Sequence, residues 1–290
     1  MTTKLFNRKY KLIIGPPGQT GKLWDDLQIS FKVEKTGDSA TNKAEIEIYN
    51  LSESSRNYVS KSDLALILEA GYENNFGRIF AGYTTFTHST KGASRKDDQI
   101  RRGFEQKKKE DTDWISKITA DDGMKALKHY ITLSLADENL TELGLLNKVI
   151  DKLNESVKVA RGTIKGVKGN RINHGKAISG TFKSVMDKIC KNQGLDWQIL
   201  NGTLNIKPKN ESYSDEIILL NGSSGLIGSP EPTEKGYKFS SLLRHEIEPG
   251  TLFKAESTLI NGIFIASNVT HTGSLNGTEW NTVIEAMPKE

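Results

Sequence analysis

Residues 217–287 alternate short apolar runs with turn signals, and this punctuation constrains the fold more than any other feature of the chain. The signals stand at Asn221-Gly222, Pro249-Gly250, Asn261-Gly262 and Asn276-Gly277. Asn-Gly favours two-residue hairpins because a type I′ turn needs φ > 0 at both central positions. Runs this short between such turns predict a series of β-hairpins. The stretch has no cysteine, no clustered histidines and no converging pair of carboxylates. A long module of hairpins without such a constellation predicts a scaffold or an interface.

The N-terminal third shows the same period of two. Residues 9–14 read as a strand, and Leu27, Ile29, Phe31 and Val33 alternate with polar residues. Ala44, Ile46 and Ile48 alternate with Glu45, Glu47 and Tyr49, and Thr36-Gly37-Asp38 begins the turn between these runs. Residues 52–60 read as a short helix. Residues 64–70 and 78–87 are further strands around a turn at 73–77, and DWISKITADDGM closes the unit. Five or six antiparallel strands of this kind predict a barrel or sandwich.

Between the two β-segments the period changes to that of a helix. Leu143, Leu146, Ile150 and Leu153 are spaced three or four apart, with Thr141 placed to cap. Phe182, Val185, Met186 and Ile189 line a second helix, which Gly194 would end. DWQIL-NG-TLNIKP is a hairpin. The fold class is therefore α+β and mainly β. The expected domains are 1–125 (β), 126–216 (helical α/β) and 217–290 (β).

The 290 residues suit two or three domains of roughly 100–150 each. No run approaches the ~18 apolar residues of a membrane span, and residues 1–15 do not resemble a secretory signal. The single cysteine, Cys190, permits no intrachain disulfide, which fits folding in a reducing cytoplasm. It reads as a buried small hydrophobe on a helix.

Chemistry-bearing motifs are weak. GPPGQTGK (15–22) has five residues between Gly15 and Gly21 where a phosphate loop has four, and Leu23 follows Lys22 where Ser or Thr belongs. A strand, not a helix, follows it, so no helix N-terminus is there to hold an anion. His88, His129, His174, His245 and His271 form no metal-ligand spacing. Asp25-Asp26 and Asp121-Asp122 are adjacent pairs, which on a strand point to opposite faces. They read as solvated turn acids. No catalytic residue, metal or cofactor is expected.

The net charge of +4 is too mild for a dedicated nucleic-acid binder. Much of the excess lies in residues 88–112, which read as a long charged loop. Its Arg95, Lys96, Arg101, Arg102, Lys107, Lys108 and Lys109 are candidate partner contacts. Only one aromatic, Phe104, accompanies them, so stacking platforms for single strands are lacking.

Three C-terminal stretches, GLIGSPEPTEKGYKFSSLL, IEPGTLFKAES and NGIFIASNVTHTGSLNGTEWNTVIEAMP, resemble baseplate hub proteins of contractile phage tails and phage-like particles. LQISFKVEKTGDSATNKAEIEIYNLSESSRNYV and the strand pair ending in IFAGY resemble the first tube-like barrel of the same family. The resemblance implies two tube-like antiparallel β-barrels flanking a helical α/β middle domain. It implies a homotrimer whose six barrels face a hexameric tail tube, with a central spike below and DNA passing through the channel without specific binding. Other baseplate subunits would be partners, the particle would assemble in the host cytoplasm, and the chain would not insert in a membrane. Two other readings stay open: a tail-associated hydrolase of cell wall or glycan, which needs a pocket with two carboxylates, and a free-standing binding module.

Overall fold

The computed structural model describes residues 7–91, 113–135, 139–172 and 176–289. The N-terminal strands are β1 (Arg8–Gly15), β2 (Lys22–Trp24), β3 (Ile29–Thr36), β4 (Lys43–Tyr49), β5 (Ala65–Tyr72), β6 (Asn75–Lys91) and β7 (Trp114–Asp121), with helix α1 (Glu53–Val59) between β4 and β5. Alternation does what the sequence predicts: Ile29, Phe31, Val33, Ala44, Ile46 and Ile48 are all buried. Ser52 caps α1 by accepting from the Ser55 N–H. The expected loop from residue 88 begins later, since β6 continues to Lys91 against β7. The seven basic candidates between Arg95 and Lys109 lie outside the described residues.

The middle segment holds α2 (Met124–Lys128), β8 (Tyr130–Leu135), α3 (Glu142–Asn154), β9 (Ala160–Ile164), β10 (Lys176–Thr181), α4 (Phe182–Gln193), β11 (Leu195–Leu200) and β12 (Thr203–Pro208). Thr141 caps α3 through the Gly144 N–H, and Gly194 ends α4 at φ 71°. Leu143 departs from expectation and is exposed, while Leu145 and Val149 join Leu146, Ile150 and Leu153 on the buried face. Three of the four expected positions, Leu146, Ile150 and Leu153, do face the core. Asn201 and Gly202 make the expected tight turn, both at positive φ.

The C-terminal strands are β13 (Ile217–Asn221), β14 (Leu226–Thr233), β15 (Gly236–Leu242), β16 (Leu252–Glu256), β17 (Asn261–Ser274) and β18 (Trp280–Pro288). Asn261-Gly262 is not a turn: both residues pair with β16, and the chain reverses over 257–260. Most ladders are antiparallel, but β9–β12 and β13–β16 are parallel.

Thirteen strands form one sheet, in the order β14-β15-β18-β17-β3-β4-β7-β6-β5-β1-β2, with β16 and β13 branching from β17. Within it, the order β3-β4-β7-β6-β5-β1 recurs as β14-β15-β18-β17-β16-β13. The repetition extends to irregularities. β6 bulges against β7 between Thr84 and Phe86, and β17 bulges against β18 between Ala266 and Asn268. Thr84 donates its N–H to the Leu64 carbonyl, as Ala266 does to that of Thr251. The residues before those carbonyls, Asp63 and Gly250, are both left-handed, at φ 61° and 87°. The match leaves a faint trace in the sequence: β7 and β18 share Trp114 with Trp280, Ile118 with Ile284 and Ala120 with Ala286. Only the orientation of the last pair differs, since β1–β5 is antiparallel.

β17 joins the two repeats. Its first half pairs with β16 and its second half, Asn268–Ser274, pairs with β3. Three apolar cores result. One lies among β1–β7 and includes Leu243 and Trp280 from the C-terminal segment. A second is built from the helices and β11–β12. The third centres on Phe239, Phe253 and Phe264, whose rings pack at 5.0–5.7 Å.

Candidate functional site

Where the three cores meet, the alternation of β3 points a lysine inward. Lys35 is buried, and its ammonium lies 2.7 Å from Glu248 Oε1. Asn201, at the tip of the β11–β12 hairpin, donates to the same oxygen at 3.2 Å and receives the Ala81 N–H at 3.0 Å. The Asn201 N–H donates to Asp122 Oδ2 at 2.8 Å. Asp122 also accepts from the Asn42 backbone and amide nitrogens, at 2.9–3.0 Å. Asn42 in turn donates to the Ile199 carbonyl. Five side chains from three regions thus close one polar junction.

Asp122 is 1% exposed, so the expected solvated turn acid is instead buried. Burial pushes its carboxyl up to about 7, despite the opposing bonds from Asn42 and Asn201 and the nearby Lys35. Asp121 is nearly buried as well and receives the Met124 N–H at the start of α2. The sequence signal was available but weak: a pair of acids ending a strand just before a helix can cap as well as solvate. Asp25 and Asp26 are exposed, as expected.

His271 is buried beside this junction, one ring nitrogen 2.9 Å from Thr282 Oγ1. Burial holds its pKa well below the usual histidine range, aided by Lys35 and His245. It is a neutral core residue. Cys190 is buried too, and burial raises its thiol to about 12, so no thiolate is available as a nucleophile. Among the described residues no group of His, Cys, Asp or Glu could hold a metal ion, and no helix is long and apolar enough to cross a membrane.

A cleft of about 770 Å³ runs between β13 and the turn at 244–251 and is lined in part by Glu246 and Glu248. A two-carboxylate hydrolase needs one acid with a raised pKa. Burial pushes Glu246 up, but Arg244, Asn75 and His245 outweigh it and leave its pKa lowered. Glu248 is committed to Lys35. The carboxyl that is raised near neutrality, Asp122, is enclosed by protein donors. This is the geometry of interlocked packing, and the described surface also offers open strand edges. Exposed apolar residues lie on or near such edges: Leu23 on β2, Phe86 on β6, Ile217 and Leu219 on β13, and Ile227 on β14.

The fold is shared with solved phage tail proteins. The 43 kDa tail protein of prophage MuSo2 from Shewanella oneidensis matches with a TM-score of 0.60 at 9% identity, covering 97% of this chain and 98% of that one. A tail protein from Neisseria meningitidis MC58 matches with a TM-score of 0.62 at 9% identity, covering 96% of each. The E. coli c3393 protein, a type VI secretion component with structural similarity to T4 tail proteins gp27 and gp5, matches at 0.57 with 8% identity, over 96% of this chain and 77% of that one. No curated protein matches the sequence. The chain thus has the mainly β fold of these tail proteins. The model of the baseplate hub gp41 family matches residues 13–271, and the chain belongs to that family. Its role is structural and lies in the phage tail baseplate.

Proposed function

We propose that this chain is the hub subunit of a trimeric ring that joins the tail tube to the central spike and leaves a channel for DNA. In this reading residues 1–125 and 217–290 are two tube-like β-barrel domains, and 126–216 is a helical α/β domain between them. The observation that carries it is the repeated strand order, from β3-β4-β7-β6-β5-β1 to β14-β15-β18-β17-β16-β13. Duplicated units let three chains make six nearly equivalent contacts, which matches a sixfold tube. The spike and neighbouring baseplate subunits are the expected partners, with the basic residues Arg95–Lys109 as contact candidates. E. coli c3393, through its likeness to gp27 and gp5, supports the spike as a partner.

Absolute mass by light scattering over a concentration range tests the ring. Three chains of 32.2 kDa give a species of about 97 kDa. A monomer at every concentration, with and without the co-expressed spike chain, overturns the trimer.

A further inference from the structure

The duplication makes one joint inside the chain and leaves its counterpart open. Inside, β3 lies antiparallel against the second half of β17, with Thr270 opposite Glu34 and Thr272 opposite Lys32. The counterpart of that half of β17 is the second half of β6, counted from the shared bulge. Among the described residues it has β7 on one side and no strand on the other. The counterpart of β3 is β14, which likewise has β15 on one side and no strand beyond.

The open surfaces fit this match. A cleft of about 490 Å³ lies between α1 and β6, lined by Arg56, Asn57, Ser60, Thr87, His88 and Ser89. It occupies the place that β3 fills beside the 244–251 turn in the second repeat. Both free edges carry an exposed large apolar residue, Phe86 at 64% and Ile227 at 45%. The charges complement each other too. Counting back from the left-handed Asp63 and Gly250, Lys61 stands where Glu248 stands. By the β3–β4 and β14–β15 registers, Glu234 stands where Lys35 stands. The internal ion pair Lys35–Glu248 therefore has a reversed counterpart, Glu234 with Lys61, split between the two open surfaces.

We propose that β14 of a second copy of this chain pairs antiparallel with the second half of β6, repeating between copies the joint that β3 and β17 make within one. The proposal rests on the ring reading above and names its contact. Transferring the register puts His88 opposite Thr233 of the second copy and Thr90 opposite its Glu231. Pro230 and Pro232 supply no N–H, so this ladder has fewer bonds than the internal one and relies more on Phe86 and the ion pair. The contact is head-to-tail, so it generates a ring when the rotation closes.

Charge reversal tests it. Lys61→Glu and Glu234→Lys each place like charges together and are expected to raise the concentration for half-assembly by about tenfold or more. The chain carrying both is expected to recover to within about threefold of the original, because the pair is restored with opposite polarity. A second test uses two exposed positions, His88 and Thr233, and the native Cys190 is buried. A chain with His88→Cys and Thr233→Cys is expected to give covalent dimers and a closed covalent trimer on oxidation, and neither single variant alone does so. A trimer that ignores both charge reversals and gives no cross-link overturns the joint and leaves the ring. A monomer under all conditions overturns the ring and the joint together.

Discussion

Lys35 on β3 and Glu248 in the turn before β16 meet at 2.7 Å, with no part of the lysine side chain exposed. Truncating one partner leaves the other charge without its counter-ion in a largely buried junction. Lys35→Ala and Glu248→Ala are each expected to cost about 3–5 kcal/mol. Replacing both, as Lys35→Met with Glu248→Leu, is expected to cost clearly less than the sum. Urea unfolding of the four chains measures this.

Asp122 gives the junction a pH signature. The unfolded chain releases this proton near 3.8, and the folded chain keeps it up to about 7. Between those values the folded state binds more protons, so this group's contribution to stability falls as pH rises. Asp122→Asn is expected to flatten that part of the slope between pH 4 and 7. It also turns an amide N–H₂ toward donors, at a cost of about 1–3 kcal/mol. Glu246, whose folded pKa is lowered, has the opposite sign: its stabilisation is present above its unfolded pKa and is lost as pH falls through the folded one. The difference between the original and variant pH curves isolates Asp122.

Trp280 couples the C-terminal segment to the first core. It packs edge-on to Phe31 at 5.4 Å and donates its indole N–H to the Gly71 carbonyl. Trp280→Ala is expected to cost about 3–5 kcal/mol. Trp280→Phe keeps much of the packing but orphans the carbonyl, and is expected to fall between. Thermal unfolding followed by circular dichroism orders the three.

Gly250 and Asp63 occupy equivalent left-handed turns with different tolerance. A Cβ on Gly250 would meet the Tyr213 ring at 2.3 Å, so Gly250→Ala is expected to cost about 1–3 kcal/mol through strain and clash. Asp63→Gly relieves the left-handed backbone and is expected to shift stability by under about 1 kcal/mol. Chemical denaturation of both variants checks the asymmetry.

Much of this fold was legible because short-range physics dictates it. Alternation named the inward residues of β3 and β4, Thr141 and Gly194 marked helix ends, and Asn201-Gly202 marked a hairpin. Misreadings arose where a local signal had two uses. Asn261-Gly262 sits in a strand because Ser257 and Ile260 already close the turn before it. Asp122 looks like a solvated acid in the sequence because nothing nearby announces Asn42 and Asn201 as its partners.

The sequence by itself determined where strands and helices form, which faces are apolar, and that no catalytic cluster is written into contiguous residues. Those properties depend on periods of two and 3.6 and on turn stereochemistry, which act over a few residues. The tertiary structure alone decided that β17 changes partner from β16 to β3, that Lys35, Asn42, Asp122, Asn201 and Glu248 share one buried junction, and that the strand order is duplicated. These depend on pairings between residues far apart in the chain. Backbone hydrogen bonds conserve such a pattern without requiring particular side chains at most positions, so a duplication can persist in topology when the sequence keeps only a trace of it, as in Trp114 and Trp280.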